Sequence, residues 1–393
     1  MKILFVSPEG PRDYEILGGR GIWLKNILPL VGQKHDVKIL TWGESEKMPN
    51  YDIVGMDMIR LKPAPFEVVG EFKEDNFTFL KEFVNLFHTW KPDLIHLQDA
   101  DAAEAALFIA QSYQIPLLYT VHLSAAACFI SGFCRERYQQ YLCQWEQVST
   151  KQADRIHVCS DYYARKFYKG EGDPLKYWYF TDVPVSIVKN GVNVNDFNGS
   201  PDLRQPGEKF NVFFAGRFAK GKGIETICEI IEDMPDCKFH FAGQFNGTES
   251  QGKEYPTTKR LYELADQYPD RVVLFGHMEQ PEMVSKARDM DVWLCPSWHC
   301  PFELVGLEAM ATGVPVVLTK TGTFLEYGQH ESNCLMVTPK SAEELKNAVY
   351  RIKSDRELAQ KLVLNGLETV KNHSWQVVAD GLDNVYQEMI NGN

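Results

Sequence analysis

Short apolar runs alternate with amphipathic stretches along the chain, as expected for strands followed by helices. In the first half, the strand-like runs are KILFVSP, DVKILTW, PDLIHLQ, IPLLYTVH and DRIHVCS, and helical stretches such as IWLKNILPLVG and DAAEAALFIAQSY separate them. Strands that are apolar throughout are typical of parallel sheets covered by helices on both faces. The pattern therefore predicts an α/β protein with doubly wound sheets.

A second series of strands and helices begins after residues 195–209, a polar stretch that contains both Pro and Gly. Its strand-like runs are NVFFAGR, KFHFAGQ, RVVLFGH, VWLCPS, VPVVLT and CLMVTP, and WQVVADGLDNVYQEMI forms a last amphipathic helix. Two similar halves predict a cleft between two domains, with ligands at the carboxyl ends of the strands. We place the domains at residues 1–194 and 195–374 and a C-terminal helix at residues 375–393.

Composition agrees with two soluble domains. A chain of 393 residues is long for one hydrophobic core. The formal net charge of −12 argues against nucleic acid as a partner and weakly against an anionic membrane surface. Nine cysteines include no C-x-x-C pair, which disfavours a zinc site or a disulfide framework and indicates reduced thiols. Because no apolar run has the length of a signal or a membrane span, we expect a cytoplasmic protein.

The loop AGRFAKGKGIET (215–226) follows a strand and leads into a helix. It carries Arg217 and Lys222 among three glycines, Gly216, Gly221 and Gly223. A helix N-terminus with flanking cations and glycines suits a phosphate group. The spacing is not that of a Walker A loop, and a glycine-rich turn with solvated charges remains the alternative.

A second glycine-rich loop, LGGRGIW (17–23), also joins a strand to a helix. Gly18, Gly19 and Gly21 permit close approach of a diphosphate or a sugar, but a flexible turn explains them equally well. The spacing does not match G-x-G-x-x-G, so a nicotinamide enzyme gains no support.

Two other strand ends carry polar side chains. His122, in YTVHLS, is either a structural histidine or a polar contact to a ligand in the cleft. Asp99 and Asp101, in LQDAD, are able to bind a metal, but capping of the following helix is the favoured interpretation.

The segment CPSWHCPFELVGLEAMATGVPVV (295–317) contains two carboxylates, Glu303 and Glu308. Gly313 and Pro315 predict the end of a short helix, LVGLEAMA. Because five residues turn the two side chains to different faces, one of them faces the cleft and the other faces solvent or a neighbouring loop. The helix N-terminal amides add positive potential to a phosphate site.

The whole set of motifs resembles the retaining nucleotide-sugar glycosyltransferases of family 4. The motifs follow the family order across nearly the full chain: GGRG, PDLIHLQ, TVH, VKNGVNVNDF, AGRFAKGKG, FAGQ, VLFGH, PSWHCPFELVGLEAMATGVPVV, TGTFLE and a terminal SWQ helix. The resemblance implies the GT-B fold, with two Rossmann-like domains facing a central cleft. It also implies an acceptor-binding N-terminal domain, a donor-binding C-terminal domain and a last helix that crosses back to the N-terminal domain.

The resemblance implies roles for named residues. Arg217 and Lys222 bind the donor diphosphate and stabilise the leaving nucleoside diphosphate, and His122 lies near the donor sugar. Glu308 accepts hydrogen bonds from the ribose hydroxyls. The other implied donor contacts are Gly18, Gly19, Gly216, Gly276, His277, Leu304 and Val305. The family needs no metal and no cofactor, since the nucleotide sugar is a substrate.

The chain departs from the family pattern at Cys300. The family has two glutamates separated by seven residues; the second is Glu308, and the first falls on Cys300. Glu303 stands where the family usually has Gly. Because a thiol is a weak hydrogen-bonding group, either the sugar is held differently, Glu303 has taken over, or catalysis has been lost.

We therefore expect a metal-independent transferase that moves a hexose from a nucleoside-diphosphate sugar to a hydroxyl acceptor with retention. UDP is the favoured base, and the acceptor is a small molecule or a glycan. The alternatives are a catalytically impaired sugar-nucleotide-binding homologue or partner subunit, an α-glucan synthase-like enzyme and a GT-B epimerase. Hydrolysis of a donor sugar distinguishes an enzyme from an inactive homologue.

Overall fold

Two parallel sheets organise the chain, and each belongs to a separate unit. One unit comprises Met1–Asn190 with Trp375–Asn393, and the other comprises Gly191–Ser374. The computed structural model describes residues 1–11, 19–56, 67–122, 136–165, 181–205, 207–244, 255–298 and 303–392. The units divide at 190/191 and 374/375, where the sequence predicts 194/195 and 374/375.

The N-terminal unit has eight strands in its described part: β1 (Lys2–Val6), β2 (Asp36–Trp42), β3 (Glu46–Lys47), β4 (Asp52–Met56), β5 (Leu94–Gln98), β6 (Leu117–Val121), β7 (Arg155–Val158) and β8 (Val185–Ile187). Their order is β3-β4-β2-β1-β5-β6-β7-β8, and only β3 is antiparallel to its neighbour. The helices described here are α1 (Gly19–Val31), α2 (Glu67–Phe87), α3 (Ala103–Tyr113), α4 (Glu136–Gln152) and α5 (Asp161–Tyr163).

The C-terminal unit has six parallel strands among its described residues: β9 (Phe210–Ala215), β10 (Cys237–Ala242), β11 (Val272–Gly276), β12 (Val292–Cys295), β13 (Val316–Thr319) and β14 (Leu335–Val337). Their order is β11-β10-β9-β12-β13-β14. The helices are α6 (Val194–Phe197), α7 (Ile224–Cys228), α8 (Pro256–Gln267), α9 (Gln280–Arg288), α10 (Val305–Ala311), α11 (Phe324–Tyr327), α12 (Ala342–Ser354) and α13 (Arg356–Lys371).

Alternate residues of the C-terminal strands supply two separate hydrophobic cores. In β9, Val212 and Phe214 belong to one core cluster, whereas Phe213 and Ala215 belong to the other. Successive side chains of a strand point to opposite faces, so each cluster covers one face of the sheet. The sheet is buried on both sides, which confirms the predicted α/β, doubly wound architecture.

The last helix, α14 (Trp375–Asn391), belongs to the N-terminal unit. Its Tyr386 hydroxyl lies 2.8 Å from Nδ1 of His96 on β5, and Asp383 lies 2.9 Å from Nε2 of His35. The chain thus leaves the N-terminal unit once and returns to it for its final element. Among the described helices, none combines the length and the apolar character that a membrane crossing requires.

Candidate active site

Three glycines lie side by side at the carboxyl edge of the C-terminal sheet. Gly216 donates its amide to Ala242 O at 3.0 Å, and Gly243 donates to Gly276 O at 2.7 Å. All three glycines have positive φ, at 153°, 138° and 75°. A Cβ on Gly243 would lie 1.9 Å from Gly216 O. Since side chains are absent here, a ligand is able to approach the main chain directly.

The loop after β9 is fixed against the segment that follows β12. Trp298 donates its amide to Gly221 O at 2.8 Å. Gly223 has φ +82°, and a Cβ there would lie 2.0 Å from Pro296 O. Only glycine permits this close packing, which places Lys222 beside the loop after β12.

Lys222 and Glu303 form a nearly buried ion pair. The Lys222 ammonium lies 2.5 Å from one carboxylate oxygen of Glu303, and the Ser297 hydroxyl donates to the other at 2.7 Å. The exposed fraction of the side chain is 26% for Lys222 and 8% for Glu303. Glu303 is therefore the glutamate that meets a neighbouring loop, and it holds the predicted phosphate-binding cation.

Glu308 lies in the first turn of α10, where the sequence predicts a helix. Its carboxyl group has no hydrogen-bond partner among the described residues. The side chain is partly exposed, yet burial raises the pKa of Glu308 to about 7. A carboxyl group with an elevated pKa and without a protein partner is suited to accept hydrogen bonds from a ligand. Gly313, with φ +74°, follows the helix end as predicted.

The other predicted donor residues of the C-terminal unit lie at the same edge of its sheet. Arg217 follows Gly216 and is exposed, without an ion pair to any described residue. His277 follows Gly276 at the end of β11 and lies 3.3 Å from Glu279. Leu304 is the N-cap of α10 and Val305 is its first residue, and both are partly exposed.

His122 follows β6 in the N-terminal unit, and three neighbours hold it. Its amide donates to Asp99 Oδ1 at 2.8 Å, and its Nε2 lies 2.7 Å from Gln98 Oε1. The Trp23 ring packs edge-on, with ring centroids 5.0 Å apart. Burial, and then the charge of Arg20, lowers the pKa of His122 well below its usual range. The imidazole is therefore neutral at neutral pH.

Arg20, on α1, binds the two aspartates that follow β5. Its Nη1 lies 2.7 Å from Asp101 and 3.2 Å from Asp99, and its Nε lies 3.4 Å from Glu9. Burial opposes the guanidinium charge, but the three carboxylates outweigh it and raise the pKa of Arg20. The predicted capping role of the aspartates is wrong: the N-cap of α3 is Ala102, which makes no side-chain cap hydrogen bond.

The predicted site residues thus fall into two groups, one in each unit. Gly19 is the first residue of α1, with nothing within 4 Å of the position of a Cβ. Gly18 and Cys300 lie outside the described residues. Sequence reasoning missed Arg20 and Gln98, although Arg20 stands inside LGGRGIW, and it also missed Ser297, whose only signal is its place after a strand.

Two family models match the chain, one in each half. Residues 28–196 match "Glycosyltransferase Family 4", and residues 198–369 match "Glycosyl transferases group 1". The chain belongs to the glycosyltransferases.

This glycosyltransferase is similar to known proteins over nearly its whole length. A glycogen synthase of Mycobacterium tuberculosis is 23% identical over 98% of this chain and 94% of its own. Sucrose-phosphate synthase from Thermosynechococcus elongatus has a TM-score of 0.84 at 22% identity, with 100% of both chains covered. Anabaena HepE in complex with UDP-glucose has a TM-score of 0.73 at 16% identity, with 99% of this chain and 100% of that chain covered. The predicted GT-B fold and the resemblance to family 4 are confirmed.

Proposed function

We propose that this glycosyltransferase transfers a hexose from a nucleoside-diphosphate sugar to a hydroxyl acceptor, with retention and without a metal ion. The observation that carries the proposal is the carboxyl edge of the C-terminal sheet. Close-packed glycines and the cations Arg217 and Lys222 lie at this one edge. In the first turn of α10, Glu308 adds a carboxyl group that has no hydrogen-bond partner in the described part of the chain. Ligands of open α/β sheets bind at such edges.

Arg217 and Lys222 bind the donor diphosphate in this proposal. Negative charge on the leaving diphosphate grows as the glycosidic bond breaks, and positioned cations stabilise that charge. Glu303, which itself accepts a hydrogen bond from Ser297, holds the Lys222 ammonium in place before the donor arrives. The amides of Leu304 and Val305, at the start of α10, face the same diphosphate.

Glu308 recognises the nucleoside. Its carboxylate accepts hydrogen bonds from the ribose hydroxyls, which replace the water that burial removes. Backbone at Gly276 and His277 meets the base, since the open position at Gly276 leaves space for a flat ring.

His122 contacts the transferred sugar, and Gly19 lets α1 begin close to the donor. Retention follows a front-face substitution, in which the leaving phosphate takes the proton of the acceptor hydroxyl, so that no separate protein base is required. Cations of the protein supply the charge that a metal supplies in other transferases. Arg20 forms ion pairs with Asp99 and Asp101, which gives these two aspartates a structural role.

UDP-glucose is the first donor to test. Anabaena HepE, a structural neighbour, was solved in complex with UDP-glucose. The acceptor is a hydroxyl compound whose identity a panel of sugars, polyols and glycans will define.

The test incubates the protein with UDP-, ADP- and GDP-glucose, with and without the acceptor panel and with EDTA. Mass spectrometry of products should show transfer or slow donor hydrolysis that EDTA does not reduce, and NMR should show an α-linked product from an α-linked donor. Nucleotide binding without any turnover would contradict an enzyme, an inverted product would contradict retention, and loss with EDTA would contradict metal independence.

Variants locate the site. Arg217→Ala and Lys222→Ala should each weaken UDP binding at least tenfold, because each removes a cation from the diphosphate. The matched control is Lys220→Ala, an exposed lysine of the same loop, which should change binding less than twofold. Equal losses in all three variants would indicate general charge attraction rather than a site.

A further test concerns Cys300, which stands in place of the first glutamate of the family motif. We expect Cys300→Glu to change the preference among UDP-sugars, since a carboxylate accepts hydroxyl hydrogen bonds that a thiol makes poorly. An unchanged donor profile would show that position 300 does not contact the sugar.

A further inference from the structure

Gln98 is a fully buried amide at the end of β5, beside the strand that leads to His122. Its Nε2 donates to the backbone carbonyl of His96 at 3.3 Å, and its Oε1 lies 2.7 Å from His122 Nε2. A carbonyl only accepts hydrogen bonds, so the orientation of the Gln98 amide is fixed. Its oxygen must face the histidine ring.

This orientation determines where the proton of His122 resides. Because Gln98 Oε1 only accepts, His122 Nε2 must carry the hydrogen. A neutral imidazole has one N–H, so Nδ1 keeps its lone pair, and no described residue uses it. The edge-on Trp23 ring and the hydrogen bond from the His122 amide to Asp99 hold the ring in this position.

Burial and the charge of Arg20 keep the ring neutral. The ionisable groups that act on it are the arginine of α1, the histidines of β5 and β7, and the aspartate that accepts its amide: Arg20, His96, His157 and Asp99. Glu9, Asp99 and Asp101 all lie within 3.4 Å of the Arg20 guanidinium, which is the cation that acts on His122. Burial and the arginine charge both favour the neutral ring.

We infer that Gln98 is a positioning residue that makes His122 Nδ1 an obligatory hydrogen-bond acceptor for the donor sugar. The inference rests on the proposed function, in which His122 meets that sugar. The group that meets Nδ1 must then donate a hydrogen bond, as a hydroxyl does. A carboxylate at the same place has no proton to donate at neutral pH and is repelled by the lone pair. The family resemblance implies that the ring of His122 lies by the C6 hydroxyl of the sugar. With that placement the site selects hexosyl donors, which carry a C6 hydroxyl, against hexuronosyl donors, which carry a C6 carboxylate.

The first experiment measures the proton directly and needs no turnover. Protein with ¹⁵N-labelled histidine is titrated from pH 5 to 8, and His122→Ala assigns the ring signals. The expected result is an Nε2–H tautomer that stays neutral across the range. Gln98→Glu should raise the pKa of His122 into the range, because a carboxylate stabilises the imidazolium. Gln98→Met should allow both neutral tautomers of His122, because a thioether is only a weak hydrogen-bond acceptor. An Nδ1–H tautomer in the unaltered protein, or an unchanged ring in both variants, overturns the inference.

The second experiment compares UDP-glucose with UDP-glucuronate as donors. The unaltered protein should prefer UDP-glucose. Gln98→Met should raise the KM for UDP-glucose about tenfold, as expected for one misplaced hydrogen bond. In Gln98→Glu, the activity with UDP-glucuronate relative to UDP-glucose should increase as pH falls, since a protonated ring donates from Nδ1. The control is Gln111→Glu, an exposed glutamine of α3 with the same charge change, which should alter neither donor nor tautomer.

The two experiments fail independently. Absence of turnover with every donor, together with the expected tautomer, would contradict the proposed function and leave the role of Gln98 in orienting His122 supported. Turnover with UDP-glucose but equal KM values in all Gln98 variants would contradict the role of Gln98 alone.

Discussion

The ion pair of Lys222 and Glu303 is the least expected feature at the scale of single residues. A nearly buried carboxylate costs desolvation energy, which a close cation and a hydroxyl donor must offset. Here Lys222 and Ser297 provide both contacts. Glu303 thereby positions the cation, but it also places a negative charge beside the proposed diphosphate.

Glu303→Gln tests both consequences. The glutamine keeps the shape and removes the charge, so UDP affinity should increase about three- to tenfold, the effect of about 1 kcal/mol of charge repulsion. Turnover should fall, because the ammonium loses its fixed partner. Isothermal titration calorimetry and steady-state kinetics measure the two effects. Glu229→Gln, an exposed carboxylate just after α7, is the control. Weaker UDP binding in Glu303→Gln would mean that Glu303 contacts the donor favourably.

Glu308 predicts a pH dependence of donor binding. Burial raises its pKa to about 7, so the free protein holds a proton there below that pH. Ribose hydroxyls donate to the ionised form, so UDP affinity should increase as pH rises from 6 to 8, by about tenfold in all. Glu308→Gln should remove the increase in UDP affinity that is due to Glu308. The phosphates of UDP also titrate, but their effect is the same for both proteins. Parallel pH profiles from calorimetry would show that Glu308 does not bind the ribose.

At the scale of elements, the close glycine turns decide how the C-terminal sheet edge is shaped. Gly243→Ala should destabilise the protein by about 2–4 kcal/mol, because its Cβ would meet the Gly216 carbonyl and the backbone must move. Gly276→Ala is the matched control: it also has positive φ, but open space, so about 1 kcal/mol is expected. Denaturant unfolding measures both. Equal losses would show that the backbone conformation, and not the contact, is limiting.

A buried hydrogen-bond chain connects four elements of the N-terminal unit. It runs from Tyr386 through His96, Thr120 and His157 to the carbonyl of Val188, with distances of 2.8, 2.6, 2.8 and 3.0 Å. The final carbonyl only accepts, which fixes the direction: each group donates to the next. Burial lowers the pKa of His157 to about 4, so this ring is neutral and the direction is kept.

Thr120→Val should break this chain in its centre. The substitution keeps the shape but leaves a donor on His96 and an acceptor on His157 without partners, which costs about 2–4 kcal/mol. Thr312→Val, which removes one buried hydroxyl that donates to the Ala309 carbonyl, should cost about 1 kcal/mol. Thermal or denaturant unfolding compares the two variants, and equal effects would contradict a cooperative chain.

At the scale of the whole molecule, the two units differ in continuity. The C-terminal unit is one uninterrupted segment with cores on both faces of its sheet, whereas the N-terminal unit needs α14 from the end of the chain. We expect the fragment 191–374 to unfold cooperatively by itself. The fragment 1–190 should be much less stable, because it lacks Tyr386 and leaves His96 Nδ1 without its partner. Circular dichroism with heating compares them, and a stable 1–190 fragment would contradict the structural role of α14.

The sequence predicted most of the fold because its strands carry the signal locally. Apolar runs such as KILFVSP and VPVVLT show burial on both faces, and Gly313 with Pro315 marks the end of the helix that carries Glu308. The partner of a carboxylate, by contrast, does not follow from its neighbours in the sequence. In sequence, Asp99 and Asp101 match a metal pair and, as the favoured interpretation, a helix cap. The structure instead pairs both with Arg20 of α1.

The sequence by itself determined the alternation of strands and helices, the two-domain α/β class and the family, and it named the loops proposed to carry the site, since all of these depend on periodicity and on motifs within single segments. Only the tertiary structure decided that Glu303 binds Lys222, that Gln98 contacts His122 and that α14 completes the N-terminal core. Those partners lie 81, 24 and 290 residues apart along the chain. Hydrogen bonds and ion pairs depend on ångström-scale approach of specific atoms, which packing creates and sequence spacing does not reveal.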